Sequence, residues 1–147
     1  MAAALPLLSG SVTFVYAKDF DASCRFYGET LGLETSATLG DGVRLFALPG
    51  SHLGVVRQGV SAAENPPRCA ADAGDTVIIG LLCKTREEVD AYHARIVAAG
   101  GRVEAPPKQN DTFGIYNMMG RDPNGYLVEV QAFLDPKFLK PLRGAKL

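Results

Sequence analysis

Apolar and polar positions along the chain change period in the same order twice. Residues 11–17 alternate, with Val12, Phe14 and Tyr16 on one face and Thr13 and Val15 on the other, which predicts a strand. Asp19 then offers an N-cap acceptor, and Phe20, Cys24, Tyr27 and Leu31 recur at helical spacing. Gly32 supplies a left-handed stop, so a helix is predicted over 20–31. Strands at 43–48 and 52–58 form an antiparallel pair joined at Pro49-Gly50. The second half repeats the pattern with an apolar strand at 76–83. Thr85 and Glu88 form a capping box, and Val89, Tyr92, Ile96 and Ala99 make the stripe of a helix over 86–99 that stops at Gly100-Gly101. A short strand at 102–105 and a loop at 106–111 precede a hairpin of 113–120 and 126–132, which turns at Asp122-Pro123-Asn124-Gly125.

The repeat divides 147 residues into one domain of two modules. Module one covers about 9–58, a linker 59–75, module two about 76–133 and a C-terminal tail 134–147. With 47% hydrophobic and 21% charged residues the composition is globular. A net charge of −1 without a basic run gives nucleic acid no electrostatic footprint. No apolar run approaches the roughly 20 residues that span a bilayer. The opening MAAALPLLSGS lacks a basic region and reads as an arm, not a signal peptide. Three cysteines without close pairing (Cys24, Cys69 and Cys83) fit a reduced, cytoplasmic protein.

Three segments share a further likeness. KDFDASCRFYGETLGL follows the first strand, TREEVDAYHARIVAAGGRV follows the second, and RDPNGYLVEV opens the last. Together they resemble the vicinal oxygen chelate superfamily, which includes glyoxalases, bleomycin resistance proteins and extradiol dioxygenases. The resemblance implies an α+β fold: two tandem βαβββ modules forming a curled mixed sheet around a common cup. In metal-dependent members the cup binds a divalent ion through His or Glu on the first and last strand of each module. Carried onto this chain, those positions are Val12, Val55, Ile78 and Glu129. Three are aliphatic, and a hard cation needs about six ligands. No metal and no other cofactor is therefore expected. His52, at a strand start, and His93, on a helix, lie elsewhere.

Glu129 is the candidate catalytic residue, as a general base or a ligand anchor; the alternative reading is an acid tied into a hydrogen-bond network. Strand parity and a count back across the last hairpin place Phe14, Tyr16, Arg57, Tyr116, Met118 and Gln131 beside it as ligand-binding residues. Aromatic and Met side chains suit a flat organic ligand, and they also suit an ordinary core. The favoured reading is a glyoxalase- or bleomycin-resistance-like protein that holds a small flat organic molecule in a metal-free cup. The alternative is a metal-dependent or Glu-based lyase or dioxygenase, so enzymatic activity stays open. A homodimer is expected, because superfamily members commonly pair modules between chains and because Leu5–Leu8 and Phe133–Leu142 offer apolar surface. A standard interface would bury on the order of 1,600 Å². Light scattering at micromolar concentration should give twice the chain mass; a monomer mass excludes this expectation.

Overall fold

A computed structural model describes residues 10–59, 77–135 and 137. The arm at 5–8, the linker past Gly59 with Cys69, and the tail past Lys137 lie outside the described residues. The chain runs β1 (Val12–Ala17), α1 (Phe20–Arg25), a π-helical turn (Phe26–Thr30), β2 (Thr35–Leu39), β3 (Val43–Leu48) and β4 (Ser51–Arg57). It continues with β5 (Ile78–Cys83), α2 (Arg86–Ala98), β6 (Arg102–Asn110), β7 (Ile115–Arg121) and β8 (Leu127–Phe133). Each half is a four-stranded mixed sheet, in the orders β1-β4-β3-β2 and β5-β8-β7-β6. The first strand of each module pairs in parallel with the last, and the other pairs are antiparallel.

The expected caps form. Asp19 accepts from Ala22 N at 2.9 Å, and Thr85 and Glu88 close the capping box of α2. The predicted 20–31 helix widens to π geometry after Arg25, where Leu31 N bonds Phe26 O, before Gly32 ends it at φ +73°. Two expectations are corrected. Thr35–Leu39 forms an edge strand that its mostly exposed TSATL sequence signals weakly. Residues 106–110, expected as loop, continue β6, whose register shifts between Ala105 and Lys108. Pro106-Pro107 sits in that interruption of an edge strand, where the missing N–H groups cost no ladder bond.

Both sheets bury one face beneath the helices. Val15, Ala17, Leu53 and Val55 from the first sheet join Met118, Val128, Val130 and Ala132 from the second. With Phe20 and Cys24 of α1, Tyr27, and Val89 and Ile96 of α2, they form one continuous core. The modules are also joined by polar bonds around the Asp122-Pro123-Asn124-Gly125 turn. The Tyr27 hydroxyl donates to Asp122 Oδ2 at 2.8 Å, and the backbone N–H groups of Asn124 and Tyr126 donate to Oδ1 at 2.9 Å. Asn124 accepts from Lys18 N at 2.9 Å and donates to the Ser23 hydroxyl. Tyr126 Oη accepts from Tyr16 N at 3.3 Å. At the far end of α1, the Arg95 guanidinium donates to the carbonyls of Thr30 and Glu29.

Burial, ahead of the neighbouring Asp122 charge, holds the Tyr27 phenol well above its ordinary value. Burial also pushes the Asp122 carboxyl up, against the lowering effect of its hydrogen-bond donors. Tyr27→Phe removes a buried donor and should cost about 1–2 kcal/mol at neutral pH. Above a pH of about 10, unfolded tyrosines lose a proton that Tyr27 keeps. Stability should therefore fall as pH rises through that range, and the Phe variant should lose less of it. Denaturant titrations at neutral and alkaline pH measure both effects.

Candidate functional site

The faces turned away from the helices are open. In the β1–β4 ladder Val12 stands opposite His52, Phe14 opposite Gly54 and Tyr16 opposite Val56. In the β5–β8 ladder Ile78 stands opposite Leu127, Gly80 opposite Glu129 and Leu82 opposite Gln131. Residues paired in a ladder share a face, so these are the open positions of the two sheets. Four apolar side chains remain uncovered there: Val12 is 42% exposed, Phe14 49%, Ile78 53% and Leu82 46%. Two grooves lie away from these faces. One, of about 410 Å³, sits between α1 and strands β2–β3, beside Gly28, Arg44 and Phe46. The other, of about 490 Å³, runs between α1, the end of α2 and the turn at Asp122-Pro123.

The ladders bring Phe14, Tyr16, Glu129 and Gln131 to the open faces and correct the rest of the expected set. Arg57 turns to the helix side, with its guanidinium 4.6 Å from the centre of the Phe20 ring and bonded to the Asp41 carbonyl. Met118 is fully buried in the core. Tyr116 packs against that core, donates from its hydroxyl to Asp90 of α2 at 2.9 Å, and lies under Arg86. The cause is a shift of one residue, which exchanges the two faces of a strand. The last hairpin closes on Asp122 and Tyr126, since Asp122 N bonds Tyr126 O, so its loop is Pro123-Asn124-Gly125 with Gly125 at φ +90°. Arg121 therefore faces Leu127, Met119 faces Glu129 and Asn117 faces Gln131. In module one the same correction moves the position equivalent to Glu129 from Val55 to Gly54.

Asn117, Met119, Gly54, Gly80, Val56 and Leu82 are thus among the open-face residues that sequence reasoning missed. A three-residue count for the Asp-Pro-Asn-Gly turn would have recovered the first two.

The chain matches the family model described as Glyoxalase/Bleomycin resistance protein/Dioxygenase superfamily over residues 10–130. It belongs to that superfamily. Among solved structures it is similar to a lactoylglutathione lyase from Agrobacterium tumefaciens, at 27% identity and a TM-score of 0.67, with 86% of this chain and 95% of that one covered. It is also similar to a glyoxalase/bleomycin resistance protein/dioxygenase from Nocardioides, at 23% identity and a TM-score of 0.65, covering 91% of this chain and 87% of that one. A glyoxalase-related enzyme from Fulvimarina pelagi shares 22% identity at a TM-score of 0.65, with 86% and 88% covered. No match was found among curated proteins.

The superfamily's divalent ion can be tested against the donors present. With the register corrected, the four strand positions are Val12, Gly54, Ile78 and Glu129. The first three carry no donor side chain. Over Gly54 the space is occupied: a Cβ built there would lie 2.4 Å from Phe14 Cδ1. The Glu129 carboxylate is already engaged, accepting from Asn117 Nδ2 at 2.7 Å and from Gln131 Nε2 at 3.3 Å. Among the described residues no group of three or more His, Cys, Asp or Glu side chains is placed to hold a metal. The donor set does not fit a divalent ion. It fits an apolar surface interrupted by one carboxylate held between two amides.

The contact between Phe14 and Gly54 is measurable. Gly54→Ala forces the Phe14 ring aside and should destabilise by about 1–3 kcal/mol, as overpacking does. In a Phe14→Ala background the same substitution should cost much less. A double-mutant cycle by chemical denaturation reads the coupling.

Proposed function

We propose that the protein binds a small organic ligand with a flat apolar body on its open sheet faces, without a divalent ion. The observation that carries this reading is the content of the four ligand positions: three lack donors, and a phenylalanine ring covers one of them. The uncovered apolar side chains support it, because exposed apolar patches in folded proteins mark binding surfaces. Phe14 and Tyr16 supply aromatic contact area, and Glu129 with Gln131 supplies the polar end.

A second reading is a Glu-based enzyme. It is favoured by the placement of Glu129, which its two amide partners hold beside the bare backbone of Gly80. That geometry suits a base acting on a bound substrate. The likeness to a lactoylglutathione lyase keeps a lyase within the same reading.

No helix among the described residues is long and apolar enough to cross a membrane. The free thiols of Cys24 and Cys83 suit a reducing compartment such as the cytoplasm. A homodimer completes the proposal, since a second copy would cover part of the exposed apolar strand face.

Two measurements test the reading. After expression in defined metals, elemental analysis should find no stoichiometric Zn, Fe, Mn, Ni or Co. One ion per chain that is lost in Glu129→Gln overturns the metal-free part. In a thermal-shift screen, flat aromatic compounds should raise the melting temperature of the wild type, and Phe14→Ala should weaken that rise. A shift produced by divalent ions and by no aromatic compound overturns the binding part.

A further inference from the structure

The two modules differ most at one pair of ladder partners. Module one has Phe14 opposite Gly54, and the ring lies over the glycine. Module two has Gly80 opposite Glu129, and among the described residues no ring lies over that glycine. A Cβ built on Gly80 would meet only Gln131 Nε2, at the ordinary contact distance of 3.9 Å. Gly80 is exposed, and its neighbours on the same face, Ile78 and Leu82, are 53% and 46% exposed. The second sheet therefore carries a side-chain-sized niche with a glycine floor, two aliphatic ends and a polar wall.

The chemistry of that wall is one-sided. A carboxylate only accepts hydrogen bonds. Asn117 and Gln131 therefore turn their NH₂ groups toward Glu129 and leave their carbonyl oxygens for other donors. The two partners that hold Glu129 are both neutral amides. Carboxylate oxygens and amide carbonyls together make an acceptor cluster with a negative charge at its centre. It attracts N–H donors and cations and repels anions.

We infer that the niche over Gly80 takes the protonated amine end of the ligand, so that the ligand is an organic cation with an aromatic body. This inference rests on the binding reading above and specifies its ligand class. The ammonium group sits over Gly80 and donates to Glu129 and to the free amide carbonyls, while the ring spreads over Ile78, Leu82 and the neighbouring open face.

The test uses the full chain and three probes with one ring system and different ends: naphthylmethylammonium, naphthylmethanol and naphthoate. Calorimetric titration should rank the ammonium at least about tenfold tighter than the alcohol, with naphthoate weakest. Raising the salt concentration should reduce the ammonium preference. Glu129→Gln should remove most of that preference, lowering the ammonium's affinity far more than the alcohol's. Gly80→Val keeps the carboxylate but fills the niche, and it should weaken the ammonium probe by at least about tenfold. The ranking on the wild type needs no variant and decides the matter if either substitution impairs folding. Alcohol or naphthoate binding as tightly as the ammonium overturns the inference and leaves the binding reading standing. A wild-type chain that binds none of the three overturns both.

Discussion

The buried contact between Tyr27 and Asp122 is the constraint on which the rest of the structure depends. Tyr27 belongs to module one, and Asp122 opens the last turn of module two. Both are almost wholly buried, and they meet at 2.8 Å. A buried carboxylate is costly unless each oxygen finds donors, and Asp122 has one side-chain and two backbone donors. The bonds that satisfy it also fix the turn it begins. That turn sets the hairpin register, and the register decides which side chains of β7 and β8 reach the open face. A single polar cluster thus joins the modules and aims the candidate site.

The open faces of the two modules show what duplication allows. One backbone plan is used twice, with the same parallel pairing of first and last strands. Large and small residues are exchanged across that pairing: a ring beside a glycine in one copy, a glycine beside a carboxylate in the other. The first arrangement covers its own backbone. The second leaves backbone exposed next to a fixed charge. Neither provides the several donors that a divalent ion needs, and together they offer an asymmetric surface, apolar on one side and acceptor-rich on the other.

Hydrophobic period, caps and stops by themselves determined both helices, most of the strands and the twofold repeat, and the family resemblance supplied the βαβββ count. These signals are local: a period of two or 3.6, an acceptor at an N-cap and a glycine at a stop act within a few residues. The family resemblance put two ligand positions on Val12 and Ile78, whose aliphatic side chains cannot bind a metal, and strand alternation put Glu129 on the face away from the core. The edge strand Thr35–Leu39 and the proline-interrupted extension of β6 were weak in the sequence because edge strands need little apolar patterning. Only the tertiary structure decided the faces of Arg57, Tyr116 and Met118, and the places of Gly54, Gly80 and Asn117. A strand's two faces differ by one residue, and the turn that sets the count is closed by Asp122, whose partner lies 95 positions away in the chain. The turn sequence admits more than one loop length, and the buried bond of Asp122 to Tyr27 holds the three-residue one, so the parity of β7 was settled only in the fold.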